Sequence, residues 1–419
     1  MTACAAPVRS RGARGRERAR KGAARLLRRI APAALALALA ATAAGDAPRP
    51  PAADLDVSSS EEVASRGRIL GARIMANRLG IIGIVWLVIT VLIALFADFF
   101  APYSVDHVHQ EALRAPPQRV HIFRDGKLVR PFVYGYKSER DARTFLTTYT
   151  EDPELVYPIH FFVEAEPYKL WGLISSSTRL FGVEEGGMVA LFGTGRLGRD
   201  VFSRVLTATR ISLSVPIIGM LISVILGSTI GVASGYWGGV ADILIQRLTE
   251  VLMSFPRIPL WMALAATLPP ELSSLHRYLG VTIVLALIGW AGLCRQIRGK
   301  TLALKESDFI MAGRAAGSST PTILFRHLIP NCFSHIVVVA TLSIPGLILA
   351  ESSLSFLGIG ITPPLVSWGT LLKDAQSVQV LTKHPWLLAP GVFMVLTVLA
   401  VNFLGDALRD ALDPYSEIR

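Results

Sequence analysis

Six stretches of this chain contain no Lys, Arg, Asp or Glu and alternate with charged segments. They occupy residues 79–97, 211–241, 258–270, 278–294, 327–350 and 384–405. A helix needs about 20 apolar residues, each rising about 1.5 Å, to cross about 30 Å of hydrocarbon. Most of the stretches approach or exceed that length. The pattern therefore predicts an all-α polytopic membrane protein with six transmembrane helices.

The six predicted spans differ in how clearly the sequence marks them. Their approximate bounds are 79–97, 211–235, 243–268, 278–296, 331–356 and 386–405. The third is the weakest because Arg247, Glu250 and Arg257 lie in its first half. Arg247 and Glu250 have the i, i+3 spacing of a helical ion pair.

Composition agrees with a membrane protein. Only 17% of the 419 residues are charged and 52% are hydrophobic, whereas soluble domains carry about 25% charge. The net charge of +11 is concentrated in residues 1–30, which hold ten Lys/Arg and one acid. The rest of the chain is nearly neutral, so the charge does not indicate a nucleic-acid partner.

The first 65 residues are low in complexity. A basic start, an Ala/Leu run at 31–45 and small residues after it imitate a secretory signal. Cleavage there would leave four arginines of the next flank outside, against the positive-inside rule. A disordered extension over 1–65 is the preferred alternative, and residues 66–100 are interpreted as the first span with its cytoplasmic flank.

Residues 101–207 are too polar to span a membrane and are rich in aromatic side chains. Strand-like patches occur at 119–123, 128–136 and 157–163. Asp125-Gly126, between the first two, is typical of a type I′ hairpin turn, which needs positive φ. We predict a small, partly β external domain between helices 1 and 2, with a poorly ordered loop as the alternative.

Basic residues between the spans indicate the orientation. Six Lys/Arg lie from the last residues of the fourth span to the start of the fifth, but only Arg277 falls between the third and fourth. The positive-inside rule places 297–330 and both termini in the cytoplasm, opposite the external domain. The main transmembrane domain then extends over 208–406, and 407–419 is a cytoplasmic tail.

Segment 308–330 combines a possible helix pair with unusually small residues. Gly317 suits the left-handed position after a helix, and Pro321 suits the first turn of a second helix that ends at Pro330. The small residues beside Arg314 leave a nearly side-chain-free surface: Ala312, Gly313, Ala315, Ala316 and Gly317. This pattern predicts a docking element for another protein, with an ordinary interfacial hairpin as the alternative.

Residues 308–331, DFIMAGRAAGSSTPTILFRHLIPN, resemble the cytoplasmic loop motif of binding-protein-dependent ABC importer permeases. Gly317 and Pro330 keep the motif's spacing. Four other motif positions differ: Met311, Gly313, His327 and Ile329 replace its Glu, second Ala, Ile and Leu. The match is closer to the dipeptide/oligopeptide subgroup, which commonly has Ala-Ala-Arg-Ala-x-Gly followed by Arg-His-x-x-Pro-Asn.

Further segments extend the resemblance in chain order over about 79–414. They are GTGRLGRDVFSR (193–204), RISLSV (210–215), GYWGG (235–239), LSFLGIG (354–360), PPLVSWG (363–369) and FLGDALRDALDP (403–414). The chain is thus similar to the C-type permease subunit of peptide importers. Gly195 stands where that family usually has Asp.

The resemblance implies a fold and a set of partners. The fold is the six-helix type-1 ABC importer permease fold, in the bacterial inner membrane. The implied partners are a homologous second permease, two cytoplasmic ATPases that bind the ATP, a periplasmic or lipid-anchored solute-binding protein, and membrane lipid. The implied ATPase-coupling residues are the small residues named above with Arg314, Arg326, His327 and Pro330. The sequence has no G-x-x-x-x-G-K-[ST] loop, which agrees with ATP binding on another chain and no cofactor on this one.

One glycine motif matches a nucleotide-binding pattern but is not interpreted as a nucleotide site. Gly193, Gly195 and Gly198 satisfy G-x-G-x-x-G, but no repeated strand–helix pattern follows and the segment is predicted to be external. We interpret it as a bend that precedes an amphipathic helix over 199–209 on the membrane surface.

Three other ionisable residues are candidates for a functional role. His107 and His109 have no third ligand nearby in the sequence, so solvated side chains are favoured over a metal site. Glu351 lies in a predicted span, where ionisable groups usually face a cavity or a partner. A place on the translocation path and a structural hydrogen bond to Ser352, Ser353 or a neighbouring helix both remain open. No nucleophile–base pair indicates catalysis, so the chain is not predicted to be an enzyme.

Alternative functions differ in what they require. An importer of nickel, an opine or a sugar would share the same permease class. A self-contained secondary transporter or channel would need a pore and a coupling-ion site within one chain, for which Glu351 is the only candidate. A membrane-anchored enzyme or sensor would act through the external domain.

The predicted orientation can be tested by labelling. Single cysteines at Lys127 and Arg314, with the native cysteines removed, should react with an impermeant maleimide from opposite faces of the membrane. Labelling of both positions from one face would contradict the six-span arrangement.

Overall fold

The computed structural model describes residues 71–412 except 125, 141–146, 171, 185 and 270. The predicted extension 1–65 and the end of the predicted tail 407–419 lie outside the described residues. After a helical segment at 71–76, the described helices are α1 (Arg78–Leu95), α2 (Ala97–Phe100), α3 (Val201–Trp237), α4 (Gly239–Ser254), α5 (Arg257–Ala266), α6 (Ser274–Leu304), α7 (Asp308–Ala315), α8 (Thr320–Phe356), α9 (Trp368–Leu372), α10 (Val378–Lys383) and α11 (Ala389–Leu412).

In the part of the chain that the structure describes, five helical segments are long and apolar enough to cross a membrane, and they correspond to five of the six predicted spans. They are α1, α3, α6, α8 and Pro385–Leu412, which contains α11. The third predicted span consists of two shorter helices, α4 and α5. They are separated at Phe255, which is extended (ψ 142°) because a residue before proline disfavours the helical conformation.

Helix α4 also contains the predicted ion pair. An Arg247 guanidinium nitrogen lies 2.7 Å from a carboxylate oxygen of Glu250. Both side chains are exposed, so the pair contributes little to stability.

Helices α3 and α6 meet along a row of three glycines, Gly227, Gly231 and Gly235, which we call the glycine seam. A Cβ atom at Gly231 would lie 2.7 Å from the carbonyl oxygen of Cys294, and one at Gly227 would lie 2.9 Å from that of Trp290. The spacing of four puts these positions on one helix face. Only hydrogen fits there, so the two backbones can approach closely.

A second close contact joins α1 to α11. A Cβ atom at Gly83 would lie 2.6 Å from the carbonyl oxygen of Ala400. Three residues further along α1, the Trp86 indole N–H donates to the Thr397 hydroxyl at 3.1 Å. Small residues and one interhelical hydrogen bond thus hold the first and last helices together.

The region between α2 and α3, predicted to be an external domain, forms two antiparallel sheets in its described residues. Strands β1 (His121–Arg124), β2 (Lys127–Arg140) and β3 (Thr147–Pro158) form one sheet in that order. Strands β4 (His160–Leu170) and β5 (Ile174–Gly182) form the other. The prediction of a partly β region is confirmed, and two of the three strand-like patches fall on β1 and β2. The third patch, 157–163, is divided between β3 and β4.

The predicted hairpin between the first two patches is present. Arg124 pairs with Lys127, and Gly126 between them has φ +74°. Asp125 lies outside the described residues, so the structure supports the hairpin through Gly126 and the strand register.

A helix is predicted over 199–209, and residues 201–209 are helical, but they form the first turns of α3 and are not separate from the second span. Asp200 caps α3 by accepting a hydrogen bond from the Ser203 amide at 2.7 Å, and the helix then continues unbroken to Trp237. Pro216 lies inside it. A good N-cap at Asp200 therefore starts the second span about three turns earlier than its apolar stretch suggested.

Two arginines connect the β region and α3 to the C-terminal ends of α1 and α2. Arg179 on β5 is 2% exposed, and its guanidinium donates to the carbonyl oxygens of Ala101 (2.7 Å) and Asp98 (3.3 Å). Arg210 on α3 pairs with the Asp98 carboxylate at 2.7 Å and donates to the Ala94 carbonyl. Cations at a helix C-terminus are favourable, since the carbonyls there lack helical partners.

Gly126 gives a direct test of the hairpin. A Cβ atom at this position would meet nothing within 4 Å, so a substitution acts through the backbone alone. Gly126→Val should cost about 1–3 kcal/mol, because a β-branched residue resists positive φ. Gly126→Asn is the control, since Asn tolerates this conformation.

The measurement is limited proteolysis of the purified protein. We expect faster cleavage within 119–140 in the valine variant, near-normal resistance in the asparagine variant, and normal membrane insertion of both. Equal resistance of the valine variant and the unsubstituted protein would argue against the hairpin.

Candidate functional site

Segment 308–330, which we call the coupling segment, begins with the short helix α7. Gly317 follows this helix with φ +77°. The Gly317 amide donates to the Arg314 carbonyl and the Ser318 amide to the Gly313 carbonyl, both at 3.0 Å. This pair of bonds is the Schellman motif. The left-handed conformation predicted for Gly317 is confirmed.

A single buried side chain anchors α7 to the rest of the chain. Ile310 is fully buried in an apolar cluster whose other members come from α3, α6 and the first turns of α8: Val232, Leu293, Ile297, Ile323, Leu324, Leu328, Cys332 and Ile336. The neighbouring Met311 is half exposed. Helix α7 thus rests on the ends of three long helices through one face.

Most of the predicted coupling residues are exposed. They are Ala312, Arg314, Ala315, Ala316, Gly317, Arg326 and Pro330. Gly313 and His327 are half-buried. The small residues therefore form an accessible surface, as a docking element requires.

Arg314 makes a contact within the chain. Its guanidinium carbon lies 4.8 Å from the centroid of the Tyr236 ring, near the end of α3. A cation over an aromatic face is attracted by the ring's negative surface. The sequence does not indicate this contact, because Tyr236 is distant from Arg314 along the chain.

The prediction that a second helix ends at Pro330 is wrong. Helix α8 runs from Thr320 through Pro330 to Phe356, and its residues Ile323–Leu328 adopt a π-helical turn. The Ile329 amide donates to the Leu324 carbonyl, five residues back. Proline lacks an N–H and crowds the carbonyl four residues before it. The wider turn accommodates both effects, so the coupling segment passes into the transmembrane helix without interruption.

Pro321 and Ser319 mark the start of this long helix. Pro321 lies in its first turn, as the sequence predicted, and Ser319 is its N-cap. The Ser319 and Thr322 hydroxyls are 2.8 Å apart, a local bond that fixes the first turn.

Glu351 is fully buried in α8. The Ser355 hydroxyl donates to its carboxylate at 2.7 Å, and the Ser352 hydroxyl does so at 3.3 Å. Ser353 instead donates to the Leu349 carbonyl. Of the two alternatives for Glu351, these contacts favour the structural hydrogen bond over a place on the translocation path.

An ion pair that sequence reasoning missed lies beside the coupling segment. Arg298 on α6 donates two hydrogen bonds to the Asp242 carboxylate on α4, both at 2.6 Å. Ser234 on α3 donates to the same carboxylate, and Gln246 donates to Ser234. This network joins three helix ends. The sequence offered one indication of this network: Asp242 closely follows the Gly238-Gly239 pair, and Arg298 follows the fourth predicted span.

His107 and His109 are partly buried and make contacts within the β region, whereas the prediction had them as solvated side chains. His107 Nδ1 lies 3.0 Å from a Glu166 carboxylate oxygen, and the His107 ring stacks on Tyr103. His109 packs edge-on against both rings. Among the described residues, no three His, Cys, Asp or Glu side chains come together as a metal site.

Comparison with known proteins identifies the family. A model described as the N-terminal transmembrane domain of oligopeptide transport permease C matches residues 65–117. A model of the binding-protein-dependent transport system inner membrane component matches residues 227–416. The oligopeptide transport system permease protein OppC of Haemophilus influenzae is 41% identical over 245 residues, which cover 58% of this chain and 74% of that protein. The chain belongs to the binding-protein-dependent inner membrane transport components.

Other members of this transport family are also similar. The glutathione transport system permease protein GsiD of Pectobacterium atrosepticum is 41% identical over 222 residues (53% of this chain, 71% of that protein). OppC of Bacillus subtilis is 36% identical over 224 residues (53% and 71%). Family membership and the apolar helices make the chain a multi-pass inner membrane permease. The five strands lie between the two matched regions.

Ile310 gives a test of how the coupling segment is held. Ile310→Ala should loosen α7, because truncation of a buried isoleucine to alanine lowers stability by about 2–5 kcal/mol. Met311→Ala is the control, since Met311 is exposed. We expect faster amide hydrogen exchange over 308–317 in the first variant and little change in the second. Unchanged exchange in Ile310→Ala would mean that other contacts hold the helix.

Proposed function

We propose that this chain is the transmembrane permease subunit of an ATP-driven importer for peptides of the dipeptide/oligopeptide class. It forms half of the translocation pathway, and a homologous second permease forms the other half. Relatives named as oligopeptide and glutathione permeases support a peptide substrate. Two cytoplasmic ATPases bind the ATP, and an external binding protein delivers the solute.

The exposed surface of α7 is the observation that carries the coupling role. Its small side chains allow a partner to approach the backbone closely, while the buried Ile310 fixes the helix to three long helices. A force applied at α7 therefore reaches the transmembrane helices through packed side chains and through the continuous helix α8. For the ATPase to apply this force, it needs a cleft that fits a narrow helix such as α7.

Arg314 has a supporting role in this proposal. Its contact with Tyr236 holds the guanidinium against the end of α3, next to the surface of α7 that the ATPase would contact. A carboxylate of the ATPase could add to this contact, because a guanidinium can stack and donate hydrogen bonds at the same time.

The orientation follows from the same proposal. The coupling segment and both termini face the cytoplasm, where the ATPases are, and the external domain faces the binding protein. Basic residues are concentrated from the last turns of α6 to the first turns of α8, which supports this orientation: Arg295, Arg298, Lys300, Lys305, Arg314 and Arg326. ATP is hydrolysed by the ATPases, whereas this subunit changes conformation during transport.

Gly317→Leu tests the coupling role. A Cβ atom at Gly317 would meet nothing within 4 Å of this chain, so the variant acts on the turn and on a partner. The left-handed conformation costs leucine about 1–2 kcal/mol. With the partner subunits co-expressed, we expect normal insertion, reduced ATPase retention on purification and loss of ligand-stimulated ATP hydrolysis.

Two control variants separate the effect of the turn from the effect of an added side chain. Gly317→Asn keeps the left-handed turn and should retain most ATPase. Gly299→Leu places the same added side chain on α6, where a Cβ atom also meets nothing within 4 Å, and should leave retention unchanged. Full uptake and full ATPase retention in Gly317→Leu would exclude the docking role.

A further inference from the structure

The β region carries two exposed phenylalanines that the transport role does not explain. Phe161 and Phe162 are consecutive on β4, and their exposed fractions are 59% and 67%. Side chains alternate between the two faces of a strand, so a strand that packs on one face normally buries one of two neighbours. Apolar side chains that are exposed together mark a contact surface when they continue into a larger apolar patch.

Phe162 also has an unusual backbone conformation. Its φ is +57°, in the left-handed region that bulky residues rarely adopt. The outlier lies between Phe161, which pairs with Phe181, and Val163, which pairs with Arg179. Strained residues of this kind persist where surrounding contacts hold them, and they cluster at functional positions.

Two contacts hold the phenylalanine pair beside the end of the first span. The centroids of the Phe162 ring and the Phe99 ring on α2 are 6.3 Å apart. On the paired strand, the Arg179 guanidinium donates to the carbonyl oxygens of Asp98 and Ala101. Both strands of the β4–β5 hairpin are therefore attached to α2, immediately after α1.

The edge of the hydrocarbon falls at this same level. About twenty helical residues cross about 30 Å of hydrocarbon, and a run of that length counted from Leu79 reaches Asp98. Phe99 and Phe100 follow, with ring centroids 5.5 Å apart. This position corresponds to the boundary between headgroups and acyl chains, where interfacial segments bury Phe and Leu side chains.

An apolar stripe on α1 leads to the phenylalanine pair. Its large side chains are each about half exposed and recur every three or four residues, which puts them on one side of the helix: Ile82, Val85, Ile89, Leu92 and Leu95. Phe99 comes four residues after Leu95, and Phe162 packs against Phe99. The exposed phenylalanines thus continue the apolar surface that a spanning helix presents to lipid.

We propose that Phe161 and Phe162 insert into the surface of the lipid bilayer at the end of α1. Their rings occupy the boundary between headgroups and acyl chains, and the base of the β4–β5 hairpin rests on the membrane there. The inference goes beyond the proposed transport function. It depends neither on the coupling segment nor on which side of the membrane the β region faces.

The test measures membrane depth in the complete transporter, reconstituted in nanodiscs of phosphatidylethanolamine and phosphatidylglycerol. A nitroxide spin label is attached to a single cysteine, with the native cysteines removed. Molecular oxygen concentrates in hydrocarbon and a nickel chelate stays in water, so their collision rates with the label report depth. We expect collisions with oxygen to dominate in Phe161→Cys and in Phe162→Cys.

Phe123→Cys is the matched control. Phe123 is the same residue type and is 61% exposed, but it lies beside the turn of the β1–β2 hairpin, in the other sheet. We expect collisions with the nickel chelate to dominate at this position.

A second measurement uses the unsubstituted chain, so no effect of a substitution on folding enters. A phosphatidylcholine analogue with a diazirine on its acyl chain is activated by light in the nanodiscs, and the crosslinked peptides are identified by mass spectrometry. We expect lipid adducts on α1 and on the peptide that contains Phe161 and Phe162, but not on the peptide that contains Phe123.

Three outcomes would overturn the proposal. Dominant nickel collisions in both Phe161→Cys and Phe162→Cys would place the pair in water. Protection of both labels from oxygen and from nickel would show that another subunit covers the pair in place of lipid. Lipid adducts on α1 without adducts on the Phe161–Phe162 peptide would exclude the lipid contact in the unsubstituted chain.

Discussion

The close approach of α3 and α6 along the glycine seam determines the position of most other elements at that end of the molecule. Because Gly227, Gly231 and Gly235 carry no side chain, the two helices are nearly in backbone contact. Their ends then lie close enough for the Asp242–Arg298 ion pair to close the turn into α4. The same proximity creates the apolar cluster in which Ile310 is buried. The placement of the coupling segment is therefore a consequence of helix packing more than of its own sequence.

Features that depend on short-range chemistry could be predicted from the sequence. The apolar stretches gave the spans, since span length depends only on bilayer thickness and helix rise. Positive φ at Gly126 and Gly317 followed from their positions between a strand pair and after a helix. The exposed small residues of α7 were also expected. Strands β3 and β5 were missed because their polar sequences become strands only by pairing with β2 and β4.

Two prolines show where sequence reasoning failed. Pro256 divides a predicted span, because the preceding Phe255 adopts an extended conformation. Pro330 was expected to end a helix, but a π-helical turn absorbs its missing N–H and the helix continues. Local propensity alone does not distinguish these outcomes, since both depend on the packing of neighbouring helices. Likewise, the contacts of Arg314 with Tyr236 and of Arg179 with Ala101 join residues distant in sequence.

The uninterrupted course of α8 has a geometric consequence. The helix contains 37 residues and is therefore about 55 Å long, well beyond the roughly 30 Å of hydrocarbon. Its first turns extend past the bilayer as a stiff arm. If it pivots near its middle, a rotation of about 5° moves its end by about 2 Å. Small angular changes within the membrane would thus become displacements the size of an atomic contact at the surface where α7 is attached, and the reverse would hold for a displacement applied there.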